Sequence, residues 1–195
     1  MRLFIAIPLA ESVQSQLKQL TNRLKPAAPN LRWSSPESWH ITLQFLGATS
    51  DEQYTCLLPR LSALKASPIP IEFESLGTFE RAGVFILKVA PTSPLVALQK
   101  RVVAATQPCG FEQEDRPYRP HITLARAKLS SRGPHGQVFV RGVDSRSSEL
   151  RTLLERAGER TSFEQFKATV FRLYESHLSA AESKYEVKRR FPLGE

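Results

Sequence analysis

Cysteine is scarce in this 195-residue chain: Cys56 and Cys109 stand apart, without C-x-x-C spacing, which argues against a disulfide scaffold and against a structural zinc site. A reducing, cytoplasmic compartment fits that usage. Long apolar runs are lacking too. No stretch approaches the roughly 20 residues that a membrane helix needs. The opening "LFIAIPLA" is short, contains Pro8, has no A-x-A cleavage pattern and passes directly into an amphipathic segment, so a first β-strand is expected there rather than a leader peptide. No G-x-S-x-G elbow supports a serine hydrolase, and no Gly-rich loop is present to cradle phosphates. Acidic residues are outnumbered, with 19 Asp plus Glu against 27 Lys plus Arg and a formal charge of +8. That balance favours an anionic partner such as RNA, a phosphate or an acidic surface, without choosing among them.

What is present is ordinary for a globular protein, 41% hydrophobic and 24% charged residues in a length that suits one domain or two lobes sharing a core. Val13, Leu17, Leu20 and Leu24 follow helical spacing with one buried stripe. "WHITLQFL" is rich in β-branched and aromatic residues and reads as a strand. A helix follows, with Ser50 and Gln53 placed as a capping box and Pro59 expected to kink it. Two extended segments, "IPIEFESL" and "GVFILKV", precede a third helix for which Ser93 is the expected N-cap and Pro94 the first helical residue. Then comes "HITLARA", another strand. The basic segment 128–146 reads as a surface loop with one short strand at "QVFV", and "SSELRTLLERAG" as a helix ended by Gly158. Strands near "FKATVFRLYES" and "KYEVKRRFPL" close the chain. The order hints at a duplicated α/β unit, although no repeat beyond one tetrapeptide is visible.

That tetrapeptide, His-Ile-Thr-Leu, heads two of the strands, at His40 and at His121, in a chain with four histidines. Side chains alternate across a strand, so His40 and Thr42 share one face while Ile41 and Leu43 anchor the other; His121 and Thr123 repeat the arrangement. If both polar faces line one cleft, two imidazoles and two hydroxyls converge. Imidazoles can act as general acid and general base at neutral pH, and hydroxyls can hold the oxygens of a phosphate, a set suited to phosphodiester cleavage without a metal. Zinc is disfavoured because the two histidines lack nearby acidic or thiol ligands. His135 and His177, which have no Thr two residues on, are expected to be structural or exposed.

The chain resembles the two-histidine (2H) phosphoesterase superfamily, and within it the RNA 2',3'-cyclic phosphodiesterases also called 2'-5' RNA ligases. The resemblance is carried by "MRLFIAIPL", "LRWSSPESWHITLQFLG", "RPYRPHITLAR" and "LYESHLSAAESKYEVKRRFPL", and spans nearly the whole chain. It implies an α+β fold in which residues 1–195 form a single bilobal domain, two pseudo-symmetric lobes of mainly antiparallel sheet flanking a central cleft with helices outside. The implied reaction is hydrolysis of a terminal 2',3'-cyclic phosphate on RNA to a 2'-phosphate, with no metal or cofactor and with one histidine as general base and the other as general acid; His121 is expected to be the base and His40 the acid, though the sequence fits the swapped order equally well. Thr42, Thr123 and Arg126 would bind the phosphate. Strict alternation would turn Arg126 away from His121, so that role requires a bulge or strand end near Ala125. Reversible 2'-5' ligation, with a 5'-hydroxyl in place of water, is expected as a side reaction of the same acid and base. The alternatives are a phosphodiesterase for a small nucleotide, such as ADP-ribose cyclic phosphate or a 2'-5' oligonucleotide, and a non-catalytic protein that binds RNA ends. Its expected partner is RNA with a cyclic phosphate end or a cyclic nucleotide, with no membrane and no obligate protein partner; a monomer is expected.

Overall fold

Leu3, Ile5 and Ile7 alternate with Phe4 and Ala6, and in the computed structural model this segment is β1 (Arg2–Pro8), whose odd-numbered side chains enter the main core. The structure describes residues 1–113, 115–127, 143–157, 162–178 and 183–194. After β1 come α1 (Glu11–Leu24), β2 (Leu31–Trp33), β3 (His40–Ala48), α2 (Asp51–Ser62), β4 (Ile69–Ile71) and β5 (Phe73–Phe79). They are followed by β6 (Val84–Val89), α3 (Ser93–Thr106), β7 (His121–Ala127), α4 (Val143–Ala157), β8 (Phe166–Ala168), β9 (Val170–Leu178) and β10 (Ser183–Pro192). The expected "QVFV" strand, His135 and Gly158 lie outside the described residues.

Two four-stranded sheets carry the motifs. The first has the order β10-β9-β1-β3 and the second β2-β7-β6-β5, while β4 and β8 form a separate two-stranded ribbon. Every pairing among the described strands is antiparallel. The architecture is therefore the expected α+β one, with one His-Ile-Thr-Leu strand in each sheet and β3 lying beside β7. The lobes are not consecutive halves of the chain: β2 crosses into the second sheet, and β9 and β10 return to the first.

The apolar faces of both sheets share one core. Leu3, Ile5 and Ile41 of the first sheet join the same buried cluster as Phe85, Leu87 and Ile122 of the second, with Leu17, Leu57 and Leu98 supplied by three helices. A smaller cluster of Phe4, Ala6 and Tyr174 sits on the opposite face of the first sheet, the face that bears His40.

Several expectations need correction. Cys56 and Cys109 are joined as a disulfide, with Cα atoms 5.8 Å apart, although 53 residues separate them. A spacing rule sees only local pairs, whereas the packing of α2 beside the 3-10 turn that ends α3, at Gln107–Cys109, brings these two sulfurs together. The cysteines therefore say nothing in favour of a reducing compartment. Helix α3 is capped by Thr92, not Ser93, without a side-chain cap bond, so Pro94 stands one residue further in. The expected capping box of α2, by contrast, is borne out, with Ser50 and Gln53 bonded in both directions, and the helix continues past Pro59 to Ser62.

Candidate active site

Each His-Ile-Thr-Leu strand breaks its own alternation at the same place. In β3, Thr42 sits opposite Ala6 and Gln44 opposite Ile5, so Leu43 is an extra residue with no partner on β1. In β7, Thr123 sits opposite Ile86 and Ala125 opposite Phe85, which leaves Leu124 as the extra residue. Both Leu43 and Leu124 are buried, as are Gln44 and Ala125 after them, so two successive side chains turn inward and the phase of the strand resets. The Leu124 carbonyl oxygen is not orphaned; it accepts from the Ser34 backbone N–H at 2.8 Å. Five residues after each histidine, Phe45 and Arg126 thus return to the histidine's side, and both line the cleft. The bulge that places Arg126 there falls at Leu124, and Arg126 Nη2 donates to Thr123 Oγ1 at 3.5 Å. A second irregularity in β3 skips Leu46 and puts Gly47 in the left-handed region at φ 72°, a conformation that glycine adopts without a Cβ penalty.

The two imidazoles are held alike. His40 Nδ1 lies 2.7 Å from the Ser38 carbonyl oxygen, and His121 Nδ1 lies 2.8 Å from that of Arg119. A carbonyl can only accept, so Nδ1 carries the proton in each neutral ring and Nε2 keeps its lone pair. The surroundings differ. His40 packs on Phe4 at 4.7 Å between ring centroids and meets the edge of Tyr185 at 5.3 Å, with Tyr174 at 6.2 Å. Among the described residues His121 has a single ring neighbour, Phe79, at 4.9 Å edge-on. Burial is the main cause that pulls the His40 pKa down to about 4; the bond to Ser38 opposes it, and the charges of His121 and Arg126 add to the fall. The His121 pKa is also lowered, first by burial and then by Arg126, against the bond to Arg119.

A cavity of about 310 Å3 joins these groups. His40, Thr42, His121, Thr123 and Arg126 all line it, so every candidate residue read from the sequence converges there. Reading by motif missed Arg2, Arg32, Phe4, Phe45 and Tyr185, which also line it and come from four strands. Arg32 stands opposite Arg126 in the β2–β7 register and adds to the positive charge of the site. Tyr118 was missed as well. Its hydroxyl, three residues before His121, donates to the Thr42 carbonyl oxygen at 3.0 Å and so ties the two motifs together. The signal was at hand, since Arg32 and Tyr118 both fall in the stretches that carry the family resemblance.

Among the described residues, one group of potential metal donors is not part of the cavity lining: Glu175, His177 and Glu186, with donor atoms within 4.8 Å of one another. Lys188 already bridges the two carboxylates at 3.2 and 3.3 Å, which supplies a cation in place. His177 is exposed, as expected.

Comparison with known proteins agrees with this geometry. The sequence model of the 2'-5' RNA ligase superfamily matches residues 8–132. An RNA 2',3'-cyclic phosphodiesterase of Bacillus subtilis is 30% identical over 195 residues, covering 97% of this chain and 95% of that protein. One from Methanocaldococcus jannaschii is 28% identical, covering 96% and 98%. In structure, E. coli LigT complexed with 3'-AMP superposes with a TM-score of 0.74 at 22% identity over 100% of this chain and 98% of that one. A Thermus thermophilus protein, TT0787, does so with a TM-score of 0.73 at 25% identity, covering 100% of both chains. With the paired motifs facing one cavity and a match over most of the chain, this protein belongs to the 2'-5' RNA ligase superfamily.

Proposed function

We propose that this protein is an RNA 2',3'-cyclic phosphodiesterase, with residues 1–195 acting as a single bilobal domain in the cytoplasm. The observation that carries the reading is the shared mounting of two imidazoles: each is held at Nδ1 by the carbonyl two residues upstream, and each lines one cavity with a hydroxyl two residues downstream. Both Nε2 atoms are then the free, basic positions. In the proposed reaction His121 Nε2 takes a proton from water as the water oxygen bonds to phosphorus. The bond from phosphorus to the 3' oxygen breaks on the opposite side, and His40, protonated at Nε2, gives its proton to that oxygen. The product is a 2'-phosphate. Thr42, Thr123 and Arg126 hold the non-bridging oxygens, where charge must be stabilised. An anionic phosphate in the cavity opposes the effects that depress both histidines and so favours the protonated His40 the step needs. With a 5'-hydroxyl attacking in place of water, the same groups would form a 2'-5' linkage as the bond to the 3' oxygen breaks, and the reverse of that step would cleave the linkage back to the cyclic phosphate. Phosphate and 3'-AMP, bound in crystal structures of E. coli LigT, are ligands of the class this cavity would take.

The test is hydrolysis of a short RNA ending in a 2',3'-cyclic phosphate, with EDTA present, followed by phosphorus NMR. A 2'-monophosphate is expected. A 3'-monophosphate would assign the leaving oxygen wrongly, and absence of turnover would refute the reading. A small nucleotide, ADP-ribose cyclic phosphate, run in parallel at matched concentration should turn over more slowly.

A further inference from the structure

Each sheet sets two arginines face to face on adjacent strands. In the second sheet Arg32 stands opposite Arg126, in the wall of the cavity. In the first, Arg190 of β10 stands opposite Arg172 of β9, and the row continues through Ala6 of β1 to Thr42 of β3. Ala6 and Tyr174 belong to the face that bears His40, so alternation and register bring Arg172 and Arg190 to that face as well. Neither of these two lines the cavity. Like charges directly opposite one another destabilise a sheet, and no ion pair among the described residues neutralises this pair. The acidic residues of the same strands are turned away: Glu175 and Glu186, opposite each other in register, lie on the other face, where Lys188 bridges them. Arg172 Nε is buried and has no hydrogen-bond partner among the described residues. We infer that Arg172 and Arg190 bind the phosphodiester immediately 5' to the reacting end of an RNA strand.

The occupant follows from position. Thr42 and Arg172 are two strand spacings apart, about 10 Å, which one nucleotide and an arginine side chain together span. In the proposed reaction the 3' oxygen, and with it the ribose, lies beside His40, so the 5' side of the sugar continues over the first sheet. The inference rests on that phosphodiesterase reading for its substrate, but its test does not depend on turnover. Guanidinium groups offer forked N–H donors that match a phosphate. Tyr174 adds a hydroxyl: burial raises its pKa against the opposing charges of Arg172 and Arg190, so it is a neutral donor beside both. A phosphate contact fixes the register of a strand and carries no base information. The site therefore confers a preference for RNA ends of two or more nucleotides over mononucleotides, whatever their sequence.

The test measures equilibrium binding of three ligands that end in a 2'-phosphate: a mononucleotide, a dinucleotide, and the same dinucleotide with an uncharged methylphosphonate between its nucleosides. Wild type should bind the charged dinucleotide about tenfold more tightly than the mononucleotide, the lower end for hydrogen bonds to a charged group. Its log–log salt dependence should be steeper by about 0.7. The uncharged dinucleotide should lose the gain. Arg172→Gln/Arg190→Gln should bind the mononucleotide as wild type does and show no gain; Arg190→Gln alone, at an exposed position, should show a reduced one, with thermal melts to confirm folding of both. Equal affinity of wild type for mononucleotide and dinucleotide, a gain that survives the uncharged linkage, a gain left intact in Arg190→Gln, or equal loss of both charged ligands in a folded variant would overturn the proposal. If the gain behaves as expected but cyclic-phosphate RNA is not hydrolysed, the phosphodiesterase reading fails while the arginine site stands; hydrolysis without the gain does the reverse.

Discussion

Strands β3 and β7 follow one plan from histidine to bulge, yet their surroundings make them unequal. His40 sits in a nest of Phe4, Tyr174 and Tyr185, while His121 has Phe79 alone among the described rings and shares its strand with Arg126. Both rings are disfavoured as imidazolium in the free enzyme. A duplicated backbone thus delivers two equivalent nitrogens, and what differs is the side chains packed around them; in the proposed reaction His40 is the acid and His121 the base. That division has consequences that can be tested.

Removing either imidazole should have the largest effect. His40→Ala and His121→Ala are each expected to lower kcat for cyclic-phosphate RNA by about a hundredfold to ten-thousandfold. A diester with p-nitrophenolate as leaving group, which departs without a proton, separates the two. It should restore His40→Ala far more than His121→Ala; the reverse outcome would exchange the roles.

Next comes the disulfide, which joins the helix after the first motif to the turn that leads toward the second. By the chain-entropy estimate, a cross-link spanning 53 residues stabilises by about 4 kcal/mol. Urea unfolding of Cys56→Ser/Cys109→Ser should show that loss while retaining turnover at low temperature. An unchanged midpoint would mean that the link does not form in solution.

Among the groups proposed to hold the phosphate, Thr123→Val and Arg126→Gln should each lower kcat by roughly a hundredfold. Because the two side chains touch at 3.5 Å, their double variant should lose less than the product of the single losses. Thr42→Val, on the other strand, should combine with either more nearly additively. Equal coupling across all pairs would mean that the strands act as one unit.

Acidity offers a finer distinction. With the free-enzyme pKa of His40 near 4 and that of His121 below 6.5, kcat/KM should be bell-shaped with both limbs on the acid side of neutrality. The kcat profile, which reports the complex with an anion bound, should lie at higher pH. Folding stability provides an independent check of sign. A histidine whose pKa is depressed in the folded state takes up its proton more readily when unfolded, so the stability that neutral His40 contributes is present above 6.5 and lost as pH falls toward 4. Between those values His40→Gln should lose less stability than wild type, and a parallel decline would contradict the depressed pKa.

Sequence alone carried the strands, the helical stripes and the shared face of each His-x-Thr pair, because those depend on local periodicity. It also raised the need for a bulge before Arg126, since simple alternation forbids the residue's role. It could not place that bulge at Leu124 or reveal its twin at Leu43. A bulge is a mismatch between two strands, visible only when Thr123 is set against Ile86 and Thr42 against Ala6. The same holds for Phe4, Arg32 and Tyr185, which reach the cavity through strand order, and for Cys56 and Cys109, whose pairing depends on helix packing. Ser93 misled because a polar residue before a proline is a good cap by type, yet the backbone turns one residue earlier, at Thr92.

The smallest expected effect tests the tie between the strands themselves. Tyr118 leads into β7, but its hydroxyl bonds to the backbone of β3 at Thr42, one residue before the bulge. Burial pushes its phenol pKa up, so the group stays a neutral donor across the working pH range. Tyr118→Phe keeps the ring and removes the donor, which should cost about 1 kcal/mol of stability. If that bond also fixes the spacing of the two imidazoles, kcat should fall severalfold with little change in KM, whereas the disulfide variant, which loosens the outer helices, should lower stability alone. A loss of stability in Tyr118→Phe with kcat intact would show that the strands hold their spacing through the shared apolar core, and that the hydroxyl only satisfies a carbonyl.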